Sequence, residues 1–273
     1  MNAITSLPER GVLAIEGGDR VAFLQGLVSN DVESAAPGRA VWAALLTPQG
    51  KWLADFFIFA GSDALLLDCE RAQIPELVRR LTRYRLRMEV TLRPDPALHV
   101  HVAWPSQPDA AGIMAPDPRL PGFAWRILTE TPLEATATPE DWDRYRLAAG
   151  LPDGSRDIEA DRGVLLEAGF DELDGVSWSK GCYMGQELTA RTKYRGLVKR
   201  RLVPVQIEGK LPPPGTPVLR DGQEVGTMRS GRDRLGLASL RLDALEESLR
   251  CGESVLTPRV PKWMRLPAGA GEG

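Results

Sequence analysis

Apolar positions along the chain recur mostly with the alternation of strands, broken by a few runs at helical spacing. Val21, Phe23, Leu24 and Leu27 behind Asp19 predict a short helix with Asp19 as N-cap. Residues 39–46 predict a strand, Pro48-Gln49-Gly50 a turn and residues 51–59 a second strand, so the pair reads as a hairpin. Another strand follows over 64–67, and Leu77, Val78 and Leu81 give 75–84 the spacing of a helix. Strands are expected at 87–92, 98–103 and 123–128. Residues 105–122, rich in Pro, Asp and Ala, read as an exposed excursion. Thr138-Pro139-Glu140-Asp141 supplies an N-cap, a proline at the first helical position and acids in the first turn. That helix should run to about Ala149 and stop at Gly150.

The pattern changes at Leu211-Pro212-Pro213-Pro214-Gly215, which can continue neither a helix nor a central strand. Short strands are expected beyond it at 217–219, 224–228 and 235–240, with Asp221-Gly222 as a tight hairpin turn. This tail predicts a small antiparallel barrel or sandwich. From Pro267 the residues are small and polar and are expected to fray. No internal repeat stands out.

Composition narrows the class. The 273 residues are 43% hydrophobic and 26% charged, the balance of a globular protein. A net charge of −3 disfavours direct nucleic-acid binding. No apolar run approaches the ~20 residues of a membrane span, and the N-terminus resembles neither a secretory signal nor a transit peptide. A cytoplasmic protein without a membrane partner is the expectation. The three cysteines, Cys69, Cys182 and Cys251, form no CxxC pair, so neither a disulfide framework nor a Cys-only cluster is expected. His99 and His101 face the same way on a strand but lack a third ligand nearby, and no metal site is expected.

Lys180, Gly181, Cys182, Tyr183, Gly185, Gln186 and Glu187 fall in one short segment. Gly181 would permit a tight turn and a helix would begin near Tyr183. Cys182 would then sit at a helix N-terminus beside Lys180, and both favour a thiolate. The alternative is a small buried hydrophobe. Arg191, Lys193 and Arg195 open a basic cluster continued by Lys199, Arg200 and Arg201, which reads as an anion-binding face or a solvated one. Glu187 and Arg191 are spaced for a surface ion pair.

The segment Lys180-Gly181-Cys182-Tyr183-Met184-Gly185-Gln186-Glu187 resembles the KGCYxGQE signature of the YgfZ family. The resemblance extends to residues 23–32, to residues 46–51 and to residues 225–230, the last like the barrel of the glycine-cleavage aminomethyltransferase. It implies an α+β, GcvT-like fold: two interlocked α+β subdomains in 1–198, a C-terminal antiparallel β-barrel in 199–266 and a flexible tail in 267–273. It further implies a cofactor, tetrahydrofolate or a one-carbon derivative, in a central opening. Residues 162–170 are similar to the aminomethyltransferase segment whose glutamate holds the pterin, which makes Glu167 the cofactor-binding candidate. Cys182 would lie near the one-carbon end or near a partner's cluster, as nucleophile, redox centre or transient ligand.

The function so implied is folate-dependent assembly or repair of iron–sulfur proteins, tRNA-modifying radical enzymes included, with assembly proteins or client enzymes as partners. A transferase-like activity and a non-enzymatic adaptor are the alternatives. Aligned on Arg71, Ile74 stands where the aminomethyltransferase has its catalytic aspartate, with Asp68 the nearest carboxylate. An isoleucine cannot relay a proton, which argues against methylene transfer.

Overall fold

A computed structural model describes residues 2–266; the tail expected at 267–273 lies outside the described residues. The chain divides into two compact units. The first comprises Met1–Pro48, Leu53–Trp142 and Leu173–Gln186; the second comprises Gln49–Trp52, Asp143–Glu172 and Glu187–Gly273.

Among the described residues the first unit holds nine strands: β1 (Ala3–Ser6), β2 (Arg10–Glu16), β3 (Val41–Leu46), β4 (Trp52–Ala60, whose first residue belongs to the second unit), β5 (Ala64–Glu70), β6 (Thr91–Asp95), β7 (His99–Trp104), β8 (Ile113–Pro116) and β9 (Trp125–Thr129). They form a five-stranded sheet in the order β3-β4-β5-β2-β6 and a four-stranded sheet in the order β1-β7-β9-β8. Helices α1 (Arg20–Gln25) and α2 (Ile74–Arg85) cover the first sheet. Their apolar residues Phe23, Leu24, Ile74, Leu77 and Leu81 join Leu13, Ile15, Phe56, Ile58 and Leu67 in one core.

The opposite face of the same strands is charged. Asp68 on β5 bonds Arg10 and pairs with Arg126 of β9 at 2.9 Å, and Asp117 pairs with Arg119 at 2.7 Å and Arg126 at 3.4 Å. All five are buried. The guanidiniums of Arg10, Arg119 and Arg126 lie 5.5, 4.9 and 3.8 Å from the centre of the Phe57 ring, a cation–π arrangement that lends the cations further support.

Several expectations are corrected here. Residues 105–122 are not merely an exposed excursion: they contain β8, and Asp117 and Arg119 turn inward because the charged interior needs partners. Residues 87–90 are not a strand, which starts only at Thr91. Asp19 flanks α1 without capping it, since its carboxylate accepts instead from the Glu89 amide at 2.7 Å.

The second unit is built on a closed six-stranded antiparallel barrel. Its strands are β10 (Arg200–Glu208), β11 (Pro217–Arg220), β12 (Gln223–Arg232), β13 (Leu235–Arg241), β14 (Leu249–Cys251) and β15 (Ser254–Pro258), in the order β10-β13-β12-β11-β14-β15. Closure pairs Val205 with Pro258 and leaves no free sheet edge. The β11–β12 turn is Asp221-Gly222, with φ of 52° and 78°, the left-handed pair that a two-residue hairpin requires. Helices α3 (Pro139–Ala149) and α4 (Gln186–Tyr194) complete the α+β fold. Arg146 of α3 is buried among Asp143, Asp157 and Ser230.

Candidate functional site

The segment around Cys182 becomes a loop fastened at several of its residues. The Lys180 side chain turns into the first unit and donates to three backbone carbonyls, those of Gln25 at 2.8 Å, Val28 at 2.8 Å and Asn30 at 2.7 Å. Burial pushes its amine down to about 8, while the charges of Asp31 and Glu33 act the other way. The ammonium also lies 5.3 Å from the centre of the buried Tyr183 ring. The Met184 amide bonds the Gly26 carbonyl at 3.1 Å and its side chain packs on the core. Gly185 takes a φ of 81°, a conformation cheap only for glycine. The Gln186 side chain accepts from the Tyr183 amide at 3.2 Å.

Cys182 is the exception. It is exposed, whereas Cys69 and Cys251 are buried. Burial pushes the Cys69 thiol up to about 12 and raises Cys251 as well. Two expected features of Cys182 are corrected. Helix α4 starts at Gln186, four residues later, because the left-handed Gly185 interrupts the helical path; Cys182 is therefore not at its N-terminus. Lys180 spends its donors on carbonyls rather than on the sulfur. Gly181 is not in a left-handed conformation, and a Cβ there would meet nothing within 4 Å. Glu187 is exposed and its expected pair with Arg191 does not form.

The loop rests on the Phe23–Val32 segment through further bonds. Ser29 Oγ donates to the Gly175 carbonyl at 2.7 Å, Asn30 Nδ2 to the Trp42 and Asp174 carbonyls at 2.9 and 2.7 Å, and the Ser177 amide to the Ser29 carbonyl at 3.1 Å. For Asp31, burial opposes ionisation, but bonds from Gln25, Ser34 and the Glu33 amide and the charge of Lys180 outweigh it and lower its pKa.

Glu167 belongs to the second unit, on a short 3-10 turn, Leu165–Ala168. It lines a cavity of about 260 Å³ with Arg162, Arg200 and Arg229. Burial raises its pKa; backbone bonds from Lys199 and Arg200 and the charges of Arg200 and Lys51 work against that rise. Arg191 and Arg195 are exposed, and Lys193 bonds Asp171. Arg201 is buried against Glu172 at 2.8 Å, so the basic cluster is not one continuous face.

Ile74 opens α2 inside the apolar core, and Asp68 is held by Arg10 and Arg126. Neither is placed as an accessible proton acceptor. Sequence reasoning missed a second cavity, of about 700 Å³, in the first unit, lined by Arg39, Asp174 and Trp178 among others. Trp42 and Trp52 are fully buried, whereas Trp178 is 38% exposed. Its position two residues before Lys180 was the available signal.

Comparison with known proteins now decides the family. The chain is 32% identical to the mitochondrial iron–sulfur cluster assembly factor IBA57 of Mus musculus, over 94% of this chain and 84% of the relative. It is 33% identical to IBA57 of Homo sapiens over the same shares. Residues 199–266 match the family model described as the CAF17 C-terminal beta-barrel domain.

The chain belongs to the IBA57/CAF17 family.

Its fold is that of the wider YgfZ/GcvT-like group: the aminomethyltransferase T of the glycine cleavage system of Bartonella henselae superimposes with a TM-score of 0.74 at 13% identity, covering 96% of this chain and 85% of that one. The family also corrects the expected cytoplasmic location, because the IBA57 relatives are mitochondrial proteins. An ordinary globular composition suits any aqueous compartment and never discriminated between them. Among the described residues no helix is long and apolar enough to cross a membrane.

Proposed function

We propose that this IBA57/CAF17-family chain serves the assembly or repair of iron–sulfur proteins, with Cys182 as its working thiol and a reduced folate as cofactor. One observation carries the reading: Lys180, Tyr183 and Met184 are fastened inward around Cys182, which is exposed while the other two cysteines are buried. A loop of that design presents a sulfur to something outside the chain. The relatives' role in cluster assembly supplies the chemistry.

A single cysteine cannot hold a cluster unaided. The remaining ligands must come from a partner, an assembly protein or a client enzyme such as a tRNA-modifying radical enzyme. Thiolate coordination to iron requires no carboxylate relay, which accords with a core isoleucine at position 74. A folate carries a pterin whose ring N–H and amino group form a donor pair, and a carboxylate can accept both. Glu167 and Asp174 are both cavity-lining carboxylates, one in each unit, that could accept this pair.

The test is anaerobic cluster transfer through the full chain together with a cluster-scaffold protein, followed by the cluster's visible absorption. Cys182→Ser should abolish transfer while leaving the thermal midpoint unchanged. Undiminished transfer by that variant would remove the thiol from the mechanism and leave the adaptor reading.

A further inference from the structure

The cavity lined by Arg39, Asp174 and Trp178 is the roomier of the two described above. Ligand sites typically run from roughly 300 to 1,000 Å³; this cavity has about 700 Å³ and the one at Glu167 about 260 Å³. Its walls are fixed from behind. Pro116 and Pro118 line it while Asp117 between them is anchored in the buried ion cluster. The 174–177 wall is tied down through the Asp174 and Gly175 carbonyls and the Ser177 amide. Little ordering cost remains for an incoming ligand.

What this rigid wall presents is chemically specific. Asp174 is held at a φ of 54°, and its carboxylate receives no hydrogen bond from the described residues. Burial raises its pKa and the charge of Arg39 opposes the rise. The indole of Trp178 is partly exposed on the same wall. The Glu167 carboxylate, by contrast, already takes backbone bonds from Lys199 and Arg200. A carboxylate short of donors, a flat aromatic face and a guanidinium in one polar cavity together define a ligand. It has a planar ring with two adjacent N–H donors and an anionic substituent.

We propose that the cavity of the first unit binds such an amino-substituted nitrogen heterocycle, with Asp174 accepting its donor pair, Trp178 stacking on its face and Arg39 meeting its anionic arm. The proposal rests on the folate reading for the ligand's identity, since a pterin with a carboxylate tail is a molecule of this kind. It assigns the ring to Asp174 rather than Glu167. It also brings the cofactor near the thiol: Ser179 lines the cavity, and the three residues to Cys182 span at most about 11 Å.

The experiment titrates 5-formyltetrahydrofolate into the full chain, read by calorimetry and tryptophan fluorescence, for wild type, Asp174→Asn, Trp178→Ala and Glu167→Gln. Asp174 and Trp178 are exposed, so their variants should fold. Saturable binding weakened at least tenfold in both Asp174→Asn and Trp178→Ala, and unchanged in Glu167→Gln, is the expected result. Binding lost only in Glu167→Gln would overturn the assignment while leaving the folate reading intact. No binding by wild type would end both. Titration with N-acetylarginine amide completes the set: Asp174-dependent binding of that probe without folate binding would overturn the heterocycle in favour of a partner's arginine.

Discussion

Lys180 donates all three of its ammonium protons to carbonyls at the end of α1 and the turn after it. An ammonium is the side-chain group with that many donors on a flexible stem, and the flat fork of arginine would not fit three converging acceptors. Lys180→Met leaves three carbonyls short of a partner, and an orphaned buried acceptor costs roughly 1–3 kcal/mol. The variant should lose about 2–4 kcal/mol of stability, by denaturant titration, with faster amide exchange confined to residues 177–186. Exchange unchanged in that window would show that the loop does not depend on the lysine. At this scale the sequence was partly legible. The segment announced itself by its motif, and Cys182 was singled out among the cysteines. The roles of Lys180 and Gly181 were misread, because an ammonium beside a thiol in sequence need not point at it. Asp174 gave no signal at all: one aspartate before a glycine looks like any turn residue until the chain folds.

Elements followed the apolar pattern wherever burial alone decides. The helix at α2, the β3–β4 neighbours and the Asp221-Gly222 hairpin came out as the spacing and turn chemistry require. The start of α3 did as well. Thr138 Oγ1 accepts from the Asp141 amide at 3.1 Å, and the Asp141 carboxylate accepts from the Thr138 amide at 3.0 Å, a reciprocal cap. Thr138→Ala should cost about 1 kcal/mol, measured as a lowered denaturant midpoint at unchanged slope; Thr138→Ser should recover most of it. Legibility failed where a strand buries charge instead of carbon. Residues 113–119 lack apolar alternation, because Asp117 and Arg119 go inside as ion partners, and only three-dimensional pairing reveals that. The onset of α4 was missed for a related reason: one glycine's left-handed turn outweighs the local propensity of its neighbours.

Over the whole molecule, the α+β, GcvT-like fold and its C-terminal antiparallel barrel are what the motif resemblance implied, and composition alone gave neither. The charged interior gives the chain a particular response to pH. Burial opposes the Asp117 carboxylate, but Arg119 and Arg126 hold it down to about 2. A depressed carboxyl contributes stability above its unfolded value near 3.8 that is lost as the pH falls through 2. Asp55 behaves oppositely. Burial raises it to about 6, with Arg10 and the Trp42 indole N–H opposing, and its Oδ1 has no partner. Its stabilising effect is complete below 3.8 and is lost as the pH rises through 6. Stability should therefore climb from pH 2 to about 4 and decline between about 4 and 7 by roughly 2–3 kcal/mol. Asp55→Asn, which keeps an oxygen for Trp42, should flatten the upper decline and leave the acid limb in place. Chemical denaturation of both proteins across that range decides it; an equally sloping variant would mean that another group titrates.

The five interlocked charges around Phe57 also restrict how this lineage can change. Replacing Asp68 alone removes the carboxylate that Arg10 and Arg126 share, and replacing Arg126 alone removes a cation from both Asp68 and Asp117, so each single step leaves the buried charges unbalanced. Drift at these positions has to be concerted. Descendants should either keep the full set or have exchanged it wholesale for carbon, with few sequences caught between.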